Sequence, residues 1–333
     1  DGVAGFSPDE FASSVQGAQA RILQSLGETL SYADLICYSA FAFRAQVHNE
    51  LCPSAGHPAC GYECLANGVR AIPYRLRILE VPPADTPAQA RAAFEADTRR
   101  AVVESIDRGV PVHYGSEEDG LIVGYGDGGR RWWCLHPYHK AGQEEFWHDE
   151  ASGFAGGSWP WGIAIWGERR PAEECASPRD LLAVALQQAL QMWHTREREG
   201  YYLGEAAYAH WLGWLQSVER GEVADPQAGM LGNGWGLHVL VHSRRIVGPW
   251  LTRQADRIGG AAGRHLRSAA EHYAHLARGC SAGLDSTWSL APGPDGASRW
   301  TSAMRHDQIG RLEAARDHDR AAIAAIEHAL EAL

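Results

Sequence analysis

With 333 residues, 45% of them hydrophobic, the chain is long enough for two domains or one large one and has the composition of an ordinary globular protein. A formal net charge of −11 excludes the basic surface that non-specific binding to nucleic acid or to anionic membranes requires. No apolar run approaches the roughly 18 residues that span a bilayer. Seven cysteines, odd in number and without a repeating spacing, point to free thiols in a reducing, cytoplasmic compartment rather than a disulfide framework. A start at Asp1 rather than Met is compatible with removal of an upstream segment.

The spacing of apolar residues predicts a helix over about Asp9–Leu26 and a second over about Tyr32–Leu51, followed by a Cys/Pro/Gly-rich loop. Ile72–Val81 alternates apolar and basic side chains and reads as a strand, and Pro87–Arg108 reads as a helix ended by Gly109. Three strands then follow in quick succession, Val110–Tyr114, Gly120–Tyr125 and Arg131–Leu135. They are joined by Gly-Ser-Glu-Glu-Asp and by a Gly-Asp-Gly-Gly turn whose residues tolerate positive φ. A fourth strand, Trp161–Trp166, closes the group.

A polar break near Gly167–Ser177 separates this part from an almost wholly helical remainder, so the expected domains are 1–170 and 177–333. Ser177-Pro178 is an N-cap with proline at the first helical position, opening a helix that Gly200 closes. Further helices are expected over Glu205–Val218, Leu237–Arg253 (interrupted by Gly248-Pro249), Gly263–Arg278 and Thr301–Leu333. The glycines of Gly232–Gly236 follow no strand and lack a phosphate-loop lysine, so they read as a helix connection. On the last helix Ile309, Leu312, Ile323, Ile326 and Leu330 lie on one packed seam, and Arg316 and Asp319 interrupt it. Either those two pair with each other or Arg316 reaches a pocket.

The strand loops crowd His113, Glu117, Glu118, Asp119, His136 and His139 at one end of the sheet. Seven of the thirteen tryptophans fall between Trp132 and Trp193, and Trp147, Trp159 and Trp161 are positioned to wall a cleft. His148 and Asp149 lie on the exit from the sheet, where a solvated surface is the plain expectation.

Three stretches carry a family resemblance: Q-A-R-I-L-Q-S-L-G (Gln19–Gly27) with S-A-F-A-F-R (Ser39–Arg44); G-V-P-V…G-L-I-V-G-Y-G-D; and W-W-C-L-H-P followed by W-G-I-A-I-W. In pattern and order, residues 10–166 resemble the papain-like domains of bacteriocin leader peptidases and, more closely, the butirosin-biosynthesis protein H family. The helical half resembles the latter's C-terminal part more loosely. The resemblance implies an α+β fold, with a papain-like domain holding a small antiparallel sheet and an all-helical domain after it. It further implies a place in bacterial natural-product biosynthesis, as an acyltransferase or an amide or peptide hydrolase. The implied partner is a small-molecule or peptide substrate, including an acyl group on a carrier protein. No cofactor is implied, and a homodimer is an admissible assembly.

Papain-like catalysis needs a cysteine at a helix N-terminus, a histidine base and an orienting Asp or Asn. The family's nucleophile position falls at about Ser14, its histidine position at Glu118 and its orienting position at His136, so none of the three usual residues is retained. One reading rebuilds the site, with His136 as base, Glu118 or Asp119 as its partner, and Cys37 or Ser14 as nucleophile. Cys37 is preferred, with Arg44 and His48 forming a polar line that recognises substrate. The other reading keeps the cleft as a binding site without chemistry.

Cys52, His57, Cys60 and Cys64 form C-x4-H-x2-C-x3-C, whose ligand types suit zinc although the spacing is not a standard zinc pattern. The same loop also reads as incidental thiols, as one local disulfide, or as the seat of a displaced nucleophile at Cys60.

Overall fold

The computed structural model describes residues 3, 6, 12–137, 146–148, 159–291 and 293–333, the side chains of 146–148 and of 285 excepted. In chain order the elements are α1 (Ser14–Ser25), α2 (Tyr32–Tyr38), β1 (Gln46–His48), α3 (Leu65–Ala71), β2 (Tyr74–Glu80), α4 (Ala88–Asp107), β3 (Val112–Gly115), β4 (Gly120–Gly126), β5 (Arg131–Leu135), β6 (Phe146–His148) and β7 (Gly162–Arg169). After them come α5 (Pro178–His194), β8 (Glu197–Arg198), β9 (Tyr201–Leu203), α6 (Gly204–Glu219), α7 (Gln227–Ile258), α8 (Gly260–Trp288), α9 (Gly296–Arg299) and α10 (Ser302–Glu331). The fold class is α+β with small antiparallel sheets, and no described helix is long and apolar enough to cross a membrane.

The chain divides into two compact units, Asp1–Tyr32 with Ile72–Cys175, and Ala33–Ala71 with Ala176–Leu333. The break near residue 175 lies where composition changes. Ala33–Ala71, however, belongs with the helical unit and not with the strands that follow it. Pairing and burial are the reason: β1 is hydrogen-bonded to β9 in antiparallel register, and Ala45, Val47 and Leu51 enter the same core as Tyr208, Trp211 and Leu240.

In the first unit, six strands lie in the order β2-β7-β3-β4-β5-β6, all neighbours antiparallel. Alternation sends Val112 and Tyr114 of β3, Ile122 of β4, Trp132 and Cys134 of β5 and Ile163 and Ile165 of β7 into one core with Ala101 and Val102 of α4. Residues of the opposite parity, His113, Leu121 and Ala164 among them, are register partners on the other face. The helix α1 packs against β3 and β4.

The second unit is helical apart from the three-stranded ribbon β1-β9-β8. Ser177 caps α5 as expected, its hydroxyl accepting from Asp180 N–H at 3.2 Å with Pro178 at the first position. Several helix boundaries differ from expectation. The helix expected over Tyr32–Leu51 stops at Tyr38, because Ala40 takes a left-handed φ of 65° and the chain turns into β1. The break expected at Gly248-Pro249 does not occur, since α7 runs unbroken through both residues and through Gly232–Gly236.

Candidate functional site

Strand parity and register build the site. His113 of β3 faces away from α4, and Asp119 immediately precedes β4 with the same parity as Leu121, the register partner of His113. Their side chains meet, His113 Nε2 lying 2.5 Å from Asp119 Oδ2, with the two side chains 9% and 8% exposed. An ionised carboxylate only accepts, so Nε2 donates and Nδ1 is left as the basic nitrogen of the neutral ring.

The N-terminus of α1 reaches the same place. Ser14 is its first residue, and its Oγ accepts a 3.0 Å hydrogen bond from the Asp119 backbone N–H. Asp119 therefore touches the serine with its backbone and the histidine with its side chain. Ser13, the N-cap, makes no side-chain cap bond. Its hydroxyl donates to Gln16 Oε1 and its N–H donates to the Tyr32 hydroxyl at 3.1 Å. The positive end of the helix dipole thus lies beside Ser14 without a capping side chain. Gln16 Nε2 and Gln19 Oε1 are buried and lack a hydrogen-bond partner among the described residues, and such a polar atom gains from any polar group that reaches it.

His136 follows Leu135, the register partner of Leu121, so it lies at the same end of the sheet as Asp119 and is half-buried. Glu118, also half-buried, is Asp119's neighbour in the loop. Trp161 immediately precedes β7, its N–H bonded to Gly115 O at 2.9 Å, and is 55% exposed at that end. The side chain of Trp147, and all of His139 and Asp149, lie outside the described residues.

Other expected site residues belong to the second unit. Cys37 is fully buried in α2, and burial, reinforced by the Asp34 charge, pushes its thiol well up. A thiol so placed stays protonated near neutral pH and does not act as a nucleophile. Arg44, expected at a substrate, is 4% exposed and spends its guanidinium on four carbonyls, those of Ala55, His57, Cys60 and Tyr62. It holds a loop together. His48 is half-buried on β1, edge-on to Tyr201 with ring centroids 4.9 Å apart.

Arg316 does not pair with Asp319: its Nε lies 3.9 Å from Glu205 and 3.6 Å from Asp317. Asp319 is instead bound by Arg244, which the sequence reading did not single out. The C-x4-H-x2-C-x3-C residues do not converge on a metal, for the Cys64 thiol is buried and donates to Tyr62 O. Among the described residues no group of three or more His, Cys, Asp or Glu side chains is arranged to hold one. All seven cysteines are free.

One functional candidate escaped the sequence reading. His113 was grouped with the end of the sheet but given no role, although its parity opposite Val112 and Tyr114 was the available signal. No protein-family model and no curated protein matches this chain.

Proposed function

We propose that the first unit is a papain-like domain for acyl transfer or for amide or peptide hydrolysis, acting on a small molecule or peptide, with Ser14 in the nucleophile's place. The observation that carries this reading is the contact of Asp119 with both Ser14 Oγ and the His113 imidazole at the N-terminus of α1. In this chemistry Ser14 Oγ attacks the substrate carbonyl and its proton passes to the Asp119–His113 pair. The Asp119 N–H favours the developing alkoxide, and the positive end of α1 favours negative charge on the carbonyl oxygen. The leaving amine or thiol departs with the proton, and an ester to Ser14 remains. Water then releases the acid, or an amine takes the acyl group. The exposed ring of Trp161 offers apolar surface for the acyl portion.

A second reading is supported by burial: Ser14, Asp119 and His113 are only 4%, 5% and 8% exposed. It keeps the domain as a binding module for a small ligand or peptide, without chemistry. A fluorophosphonate probe, which reacts only with activated serines, separates the two. Labelling mapped to Ser14 and abolished in Ser14→Ala supports catalysis. A folded protein that leaves the probe untouched supports the binding module.

A further inference from the structure

Within the helical unit, imidazoles crowd one stretch of the contact between α8 and α10. His272 and His275, one helical turn apart on α8, both meet His318 of α10. His272 Nδ1 lies 3.4 Å from His318 Nδ1, with the ring centroids 5.7 Å apart. The His275 ring is stacked on His318, centroids 5.4 Å apart and planes 13° from parallel. His275 is exposed and the other two are half-buried, so protons reach the cluster from solvent.

Two hydrogen bonds of the cluster exist only while a ring is neutral. Between two Nδ1 atoms one donates and the other accepts with its lone pair, so the His272–His318 bond survives one added proton and not two. At His275, Nδ1 accepts from Arg278 Nη2 at 3.2 Å, and a guanidinium only donates. A proton on that nitrogen sets N–H against N–H beside a fixed positive charge. The packed cluster therefore holds one extra proton and resists a second.

The surrounding charges do not offset this. On α10, Asp317 and Asp319 favour a proton on His318, but Asp319 is bound by Arg244 of α7 and Asp317 lies against Arg316 and Arg320. Burial first, then the charges of His272 and His275, outweigh both carboxylates and hold the His318 ring below its ordinary 6.5. Beside the cluster, His275, Cys280, His306, Asp307, Arg311 and His318 line a groove of about 410 Å³. There Asp307 pairs with Arg311, and His306 lies 3.7 Å from Glu219 of α6. Cys280 is the buried member, 1% exposed, its thiol donating to Arg311 O at 3.7 Å and pushed up to about 12, chiefly by burial. A second imidazole pair on the same two helices, His265 and His328, has Glu331 3.4 Å from His328 to compensate a proton.

We propose that His272, His275 and His318 form an acid-released latch between α8 and α10, which parts along this stretch when a second proton enters the cluster and so opens Cys280 to solvent. Two positive rings whose N–H groups confront each other at 3.4 Å repel, and separation lets water solvate both. Above about pH 6.5 the rings are neutral whether the contact is closed or open, and the latch holds. As pH falls the open form takes up protons more readily than the closed one, so acid shifts the balance toward opening. The latch lies in the helical unit and does not depend on chemistry at Ser14.

The test follows Cys280 in the full chain with 4,4′-dithiodipyridine, a disulfide that labels thiols in acid as well as near neutrality, with the labels mapped by mass at pH 7.5 and 5.0. Half-exposed Cys175 corrects for the reagent's own pH dependence, and buried Cys37, in the same unit as the latch, reports general unfolding. Relative to Cys175, Cys280 should react about tenfold faster or more at pH 5.0 than at pH 7.5, with Cys37 unchanged. In His318→Gln and in His272→Gln that ratio should fall to within about twofold of one. Because a ratio is read, a variant that loosens the helices at both pH values still reports whether acid acts. His275→Gln changes an exposed side chain and spares the fold, and it should need a lower pH for the same labelling. No rise at Cys280 in wild type, a rise shared by Cys37, a full rise retained in His318→Gln, or an unshifted profile in His275→Gln overturns the proposal.

Discussion

Asp119 grips His113 side chain to side chain at 2.5 Å while its backbone N–H binds Ser14 Oγ at 3.0 Å. Asp119→Asn keeps the backbone bond to Ser14 and the side-chain shape but removes the negative charge that orients the imidazole. If the pair is a working base, Asp119→Asn and His113→Ala should each slow fluorophosphonate labelling of Ser14 by roughly 10²–10⁴-fold. The double variant should lose little more than either single one, because the two residues act as a unit. Full labelling in both single variants would mean that the pair only clamps two strands.

The buried charge on the last helix makes a prediction about stability. Arg244 Nε and Nη2 reach Asp319 Oδ1 and Oδ2 at 2.9 and 2.8 Å, with both side chains 1% exposed. The Tyr208 hydroxyl donates to Asp319 at 2.6 Å, and the same guanidinium donates to the carbonyls of Ala42 and Phe43. Burial alone would lower the Arg244 pKa, yet the Asp319 charge and hydrogen bonds outweigh it and raise it. Asp319→Ala strands a buried guanidinium and should cost about 3–5 kcal/mol in urea unfolding. Arg316→Ala, three residues away on a half-exposed side chain, should cost less than about 1 kcal/mol. Equal losses would contradict this division of roles.

Cys37 supplies a chemical prediction. With its side chain fully buried and its thiol pushed well up, iodoacetamide should leave it intact in the folded protein. The half-exposed Cys52, Cys60 and Cys175 react meanwhile, and Cys37 should lag Cys60 by ~10²-fold or more until urea opens the fold. Cys37→Ala should cost on the order of 1 kcal/mol and leave labelling of Ser14 unchanged. Early alkylation at Cys37 would restore it as a nucleophile.

The strands and the cap of α5 were legible because they rest on local chemistry: period-two alternation, glycine turns, and a serine before a proline. The end of the sheet was legible as a place for the same reason. Which histidine serves Asp119 was not, since that depends on the face of β3 that α4 covers, a contact between elements. Gly232 was misread as punctuation. It lies inside α7 because a Cβ there would collide with the Leu51 carbonyl, a close approach invisible along the chain. Asp319 was recognised as out of place on an apolar seam, but its partner lies 75 residues away, and Arg316, three residues off, was the nearer guess. The loop from Leu51 to Cys64 showed its cysteines and histidine in sequence. Its order comes from Arg44 and Gln46, whose hydrogen bonds to carbonyls follow no local pattern.

A histidine in α7 predicts how stability falls with acid. His238 is stacked on Trp235, with ring centroids 5.2 Å apart and an interplanar angle of 11°, and packs against Trp288 and His242. Burial first, then the charges of His242 and Arg245, lower its pKa to about 4 from an ordinary 6.5. The folded state therefore keeps this ring neutral over a range in which the unfolded chain protonates it. Above pH 6.5 both states are neutral and the residue contributes its full share. As pH falls from 6.5 to about 4 the unfolded state binds the extra proton and folding weakens, and below that both states are charged and the loss levels off. At about 1.4 kcal/mol per pH unit the total approaches about 3 kcal/mol. Urea unfolding of wild type and His238→Gln at pH 7.5, 5.5 and 4 reads the difference directly. Wild type should lose about 3 kcal/mol relative to the variant between the first and last of these. Parallel acid curves for the two proteins would show that His238 titrates alike in both states, and the stacked, neutral imidazole would have to be given up.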